Sequence, residues 1–143
     1  MLLSPHFTLA EMTVSETAAR RGIDNTPSEQ IISNLQRLSA GLEDIRRLVG
    51  RPILVSSGYR SQALNKAVGG STSSVHTQGL AADIIAVGLS PRELARQVVD
   101  SGLMFDQLIL EFDQWVHFGL SAETPRRQVL TIRRGSGYLS GLI

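Results

Sequence analysis

Two histidines and one aspartate in this 143-residue chain have the types and spacing of a metal site open to water. His76 and Asp83 lie in His76-Thr77-Gln78-Gly79-Leu80-Ala81-Ala82-Asp83, and His117 lies thirty-four positions beyond Asp83 in Trp115-Val116-His117. Imidazole nitrogen and carboxylate oxygen are ordinary zinc donors, and three protein ligands leave a fourth tetrahedral position free, as hydrolysis needs. Asp83 is the only ionisable group between Leu80 and Ala86. Burying it is costly unless something satisfies it, and either a divalent cation or an arginine partner would do so. His117 poses the same question inside the apolar run from Trp115 to Leu120. The third histidine, His6, is expected to be exposed and without a role.

A hydrolytic site also needs a general base for the attacking water, and Glu111 and Asp113 are the candidates. Strand parity separates them. If a hairpin turn spans Asp113 to Trp115, Glu111 opposes His117 on one face of the sheet; a two- or four-residue turn points Glu111 away. Asp113 suits a solvated turn better than a tuned acid. Glu111 is therefore the expected base, with burial raising its pKa so that it can move a proton to the leaving amine. Arg60, in Ser57-Gly58-Tyr59-Arg60-Ser61, has two readings: a guanidinium that clamps a substrate carboxylate or polarises a carbonyl, or a plain surface arginine at a helix start. Other chemistries drop out. Gly69-Gly70-Ser71 lacks the Gly-Lys-Ser/Thr of a phosphate loop. Ser57 does not lie in a nucleophile-elbow pattern.

The elements that must carry these residues are legible in part. Thr8-Leu9-Ala10-Glu11 is a capping box opening a helix that runs to Gly22, and Thr26-Pro27-Ser28-Glu29 repeats it with proline at the first helical position. Ile31, Leu35, Leu38, Leu42, Ile45 and Val49 recur at threes and fours, the mark of a long amphipathic helix ending at Gly50. A short strand is expected from Pro52 to Ser56, a brief helix from Arg60 to Ala67, and a loop from Val68 to Ser74. Leu80 to Val87 fits a buried strand. Ser90-Pro91-Arg92-Glu93 caps a helix to Gly102, Phe105–Phe112 and Trp115–Leu120 form a hairpin, and Val129–Ile132 is a last strand. Helices early and strands late point to an α+β domain, residues 1–143, with N-terminal helices on a mainly antiparallel sheet.

Composition narrows the class. The chain is 42% hydrophobic and 19% charged, ordinary for a globular protein, and its net charge of +1 gives no case for nucleic acid. Arg126, Arg127, Arg133 and Arg134 read as solvated strand residues. With no cysteine, any metal must be held by His, Asp or Glu. There is no signal-peptide pattern at the N-terminus and no membrane-length apolar run, so a cytoplasmic product that is not membrane-bound is expected. Monomer is the expected state.

Taken together, Ser57-Gly58-Tyr59-Arg60-Ser61, Asn65, Val68-Gly69-Gly70-Ser71, the His76–Gly79–Ala81–Asp83 pattern and Trp115-Val116-His117 resemble the zinc D-alanyl-D-alanine carboxypeptidases and dipeptidases. That family includes vancomycin-resistance D,D-dipeptidases and phage L-alanoyl-D-glutamate endopeptidases. The resemblance runs from about Ile53 to Leu120, and the long preamble looks like the short, stand-alone phage and prophage versions. It implies a Hedgehog/D,D-peptidase-like fold, Zn²⁺ held by His76, Asp83 and His117, Arg60 on the substrate or transition state, and Ser74 helping to hold the substrate. It also implies hydrolysis of a peptide bond in peptidoglycan stem peptides, at a D-Ala–D-Ala end or internally, with access to the wall after release from the cell. Several relatives carry the base three positions before the last histidine, where this chain has Gln114, which cannot abstract a proton; shorter-loop relatives place a glutamate where Glu111 stands. The alternative function is a non-catalytic zinc-containing module bound to cell wall or virion.

Overall fold

The long helix has the simplest origin. In a computed structural model describing residues 1–143, it spans Glu29–Val49 (α3) and turns Leu35, Leu38, Leu42 and Ile45 wholly out of solvent. Each such side chain contributes about 1.5–3 kcal/mol of burial. Ser28, not Thr26, is the N-cap, its hydroxyl accepting from the Ile31 N–H, so Pro27 precedes the cap and does not open the helix. The reason lies upstream: the Asp24 carboxylate accepts the Thr26 N–H at 2.9 Å and commits that segment to a turn.

The first expected helix is two. The Thr8–Glu11 capping box forms and opens α1 (Leu9–Thr13), but Ser15 caps again through the Ala18 N–H and starts α2 (Glu16–Arg21), which stops at Gly22. Before them lies an unexpected two-stranded ribbon, β1 (Leu2–Ser4) and β2 (Phe7–Thr8). His6 lies in the turn between them and is not idle: its backbone N–H and ring Nδ1 both meet the buried Glu43 carboxylate of α3, at 2.8 and 2.7 Å.

The remaining elements are β3 (Ile53–Ser57), α4 (Gln62–Ala67), a 3₁₀ turn at Val75–Gln78, β4 (Ala81–Ala86), α5 (Pro91–Ser101), β5 (Gln107–Glu111), β6 (Trp115–Gly119), β7 (Gln128–Ile132) and β8 (Leu139–Ser140). Six strands form one sheet in the order β3-β4-β6-β5-β7-β8, antiparallel except where β7 runs parallel to β5. The result is mixed helix and sheet with a mostly antiparallel sheet, and no helix is long and apolar enough to cross a membrane.

Alternation divides the sheet into two surfaces. Ala82, Ile84 and Ala86 of β4, Val116 and Phe118 of β6, and Leu108 and Leu110 of β5 join the core with residues of α3 and α5. Their neighbours in sequence must face the other way. Asp83, His117 and Ile109 are in direct register across β4, β6 and β5, so the oily face of the sheet fixes the position of the polar one. A bulge between Val55 and Ser57 puts Ser57 opposite Asp83. Bulges of this kind re-aim side chains beside functional sites.

Candidate metal centre

The three residues singled out by type converge. His76 comes from the 3₁₀ turn, Asp83 from β4 and His117 from β6, all buried, with one ligand atom of each lying within 4.8 Å of the others. They line a cleft of about 510 Å³ together with Arg60, Ser74, Glu111 and Trp115.

Hydrogen bonding assigns the ring atoms. The Gly58 carbonyl can only accept, and it stands 2.7 Å from His76 Nδ1, so that nitrogen carries the proton and Nε2 turns its lone pair inward. Nε2 lies 3.4 Å from Asp83 Oδ1, and His117 Nδ1 lies 3.3 Å from the same oxygen. Charge-assisted hydrogen bonds run shorter, about 2.7–2.9 Å. Two donors on one tetrahedral zinc, each roughly 2.0–2.1 Å from it, stand about 3.3–3.4 Å apart. Both distances to Asp83 Oδ1 therefore suit a shared zinc ion. His117 Nε2 is buried without a hydrogen-bond partner, which leaves Nδ1 as the atom of that ring with work to do. Burial pushes the Asp83 carboxyl up, but contacts with His117 and His76 outweigh it and hold the group well below the usual carboxylate range.

Gly58 earns its place by close approach. A Cβ there would sit 2.5 Å from the Met12 carbonyl of α1, which itself accepts the Tyr59 N–H at 2.7 Å. The Ser57–Ser61 motif contains this glycine, but nothing local gives it a role, because its partner on α1 is distant in the chain.

Arg60 is no plain surface arginine. Its side chain is 18% exposed, with Nη2 at 3.7 Å from Asp83 Oδ2, Nε donating to Ser57 and Nη1 to Asn65. Asn65 also donates to the Ser71 carbonyl, tying the small-residue loop to the arginine. Asp83 thus has an arginine neighbour as well as two histidines. Ser74 caps the 3₁₀ turn by accepting the His76 N–H at 3.3 Å and also borders the cleft.

The hairpin register differs from expectation by two residues. The turn is Phe112–Gln114, so Glu111 opposes Trp115 and His117 opposes Ile109. A shift of two keeps the face. Glu111 still borders the cleft, as a diagonal neighbour of His117. The turn closes early because Phe112 and Asp113 both take positive φ, at 56° and 54°, and the Gln114 N–H bonds the Glu111 carbonyl. Tilted packing of Phe112 on Trp115, centroids 5.7 Å apart, offsets the strain of an aromatic residue there. Trp115 Nε1 donates to Glu111 Oε2 at 3.0 Å, a positioning contact visible only once the register is known. Burial and then the Asp83 charge push the Glu111 carboxyl up, against downward pulls from His117, the Trp115 N–H and His76. Asp113 stands apart, exposed and paired with Arg92 at 3.1 Å, bordering a separate hollow with Arg133 and Arg134.

No curated protein matches the chain. The sequence model for peptidase M15 matches residues 5–119, which takes in the N-terminal helices as well as all three converging side chains. With that match across most of its length, the chain belongs to the peptidase M15 family, zinc enzymes of the D-Ala-D-Ala carboxypeptidase type.

Proposed function

We propose that this protein is a zinc metallopeptidase that hydrolyses a peptide bond in peptidoglycan stem peptides, as a D,D-carboxypeptidase or an endopeptidase. The observation that carries this reading is the convergence of His76, Asp83 and His117 on one cleft that Glu111 also borders. His76 Nε2, Asp83 Oδ1 and His117 Nδ1 would hold zinc, which would supply Lewis acidity toward a peptide carbonyl and lower the pKa of a water. Glu111, made a stronger base by burial and the Asp83 charge, accepts as its carboxylate the proton of the attacking water and returns it to the departing amine. Trp115 fixes which carboxylate oxygen faces inward. Arg60 offers donor hydrogens to the developing oxyanion or to a substrate carboxylate, and Ser74 offers a hydroxyl at the same wall.

The reading extends to a Hedgehog/D,D-peptidase-like fold, with residues 1–143 acting as one monomeric domain that cuts wall peptides after release from the cell. The test is chelator-sensitive appearance of new amino groups when the purified protein is incubated with wall peptides, restored by added zinc. Binding of the peptides with no new amino groups would favour a module that recognises wall without cutting it.

A further inference from the structure

Part of the cleft is lined by residues outside the stretch that matches the family. Arg126, Leu130 and Tyr138 border it, all beyond residue 119, whereas the metal-site residues lie within 5–119. Arg126 is held in an unusual way for a surface residue. The buried Asp106 carboxylate, on the residue before β5, takes three of its donors: the backbone N–H at 3.1 Å, Nε at 3.0 Å and Nη2 at 2.8 Å. Asp106 is itself fixed at both backbone groups, its N–H to the Gly119 carbonyl and its carbonyl to the Gln128 N–H. The guanidinium is therefore oriented in advance. The Arg126 side chain stays 59% exposed, and Nη1 makes no hydrogen bond within the chain.

Position follows from register. Ile109 is opposite His117, and Asp106 lies three residues before it at the end of β5 away from Glu111. Three residues of strand span about 10 Å. An extended peptide laid along this face advances at the same rate, so a group about three residues from the bond at the metal centre reaches Arg126. Leu130, in register with Ile109, and Tyr138, 61% exposed and next to the residue paired with Thr131, border the cleft nearer the metal centre.

We propose that Arg126, preset by Asp106, is a specificity residue that binds a carboxylate of the peptide substrate about three residues from the scissile bond. The substrate is then an acidic peptide, with its anion at the β5–β7 end of the cleft. Fixing the guanidinium beforehand removes the rotamer cost of ordering a long side chain on binding, which is how a half-exposed arginine gains selectivity.

This rests on the peptidase reading, and the test separates the two. The zinc-loaded full chain is titrated by calorimetry with stem pentapeptides in which each free carboxylate is left as the acid or converted, one at a time, to its carboxamide; hydrolysis is followed in parallel. The expected result is one position where the acid binds roughly tenfold more tightly than the amide, with Arg126→Gln bringing the acid down to the amide's level and Arg126→Lys retaining part of the difference. Equal affinity for every acid–amide pair in the wild type overturns the proposal without any variant. So does a preference that survives intact in Arg126→Gln. Acid-selective binding lost in Arg126→Gln but with no hydrolysis supports the subsite and refutes the peptidase reading.

Discussion

His76 Nε2 and Asp83 Oδ1 face each other at 3.4 Å as two acceptors, because the Gly58 carbonyl has claimed the ring's proton on the far side. In a neutral ring nothing between these atoms is attractive until a cation joins them. Zinc binding should therefore stabilise the fold. At a free concentration a hundred times the dissociation constant, the gain is about 2.7 kcal/mol. For a chain of this size that raises the Tm by roughly 10 °C. Scanning calorimetry with zinc and then with chelator reads the shift. His76→Ala, Asp83→Ala and His117→Ala should each lose it along with the metal, and a Tm indifferent to zinc in the wild type would contradict the fit.

The two carboxylates of the β5–β6 hairpin should behave oppositely. Glu111→Gln keeps the ligands and should keep zinc, while the rate falls by about 10²–10⁴. Asp113→Gly removes an exposed acid outside the cleft and suits a positive φ, so hydrolysis should persist. The pH profile carries a sign. A base works deprotonated, so kcat/KM rises with pH through the Glu111 pKa. Burial and Asp83 push that group upward, which places the limb above the ordinary glutamate value of about 4.3. Glu111→Gln should erase the limb.

Gly58→Ala tests support of the site from outside it. The new methyl meets the Met12 carbonyl at 2.5 Å, and relief requires moving the strand end whose carbonyl orients His76. Loss of such outer hydrogen bonding typically weakens metal affinity by about 10–100-fold. Competition with a calibrated chelator measures this, and zinc affinity equal to the wild type would show that Gly58 serves only the α1 contact.

What could be read in advance depended on how local the signal is. The stripe of α3 and the Ser90–Glu93 box of α5 are complete within a few turns of chain, and both elements form where expected. Caps in series were harder: Thr26 and Ser28 are equally good cap types, and only the Asp24 turn decides between them. Ser15 likewise split a helix that looked continuous. β1, β2 and β8 have two or three residues each, too few for a period to register. Within the site, residue type was enough to single out His76, Asp83 and His117, and strand parity was needed to prefer Glu111 to Asp113. The contacts that orient them join distant segments: Gly58 to His76, Arg60 to Asp83, Trp115 to Glu111. Asp106 with Arg126 is the extreme case, since neither residue stands out until β5 and the loop before β7 are side by side.

Glu43 offers a stability test far from the cleft. Its carboxylate, 7% exposed, accepts the Ser4 hydroxyl at 2.6 Å and both His6 donors, tying the N-terminal ribbon to α3. Burial alone would push its pKa up, but these partners outweigh it and leave the group below the ordinary glutamate value. A carboxyl depressed by folding stabilises the fold above its unfolded pKa and loses that contribution as pH falls through the lower folded value. Glu43→Gln should therefore cost about 1.5–3 kcal/mol at neutral pH, the range for hydrogen bonds to a charged acceptor. The gap between variant and wild type should hold down to about pH 4.3 and shrink below it. Urea unfolding of both proteins across that range measures the gap, and a difference independent of pH would show that the contact acts by shape and not by charge.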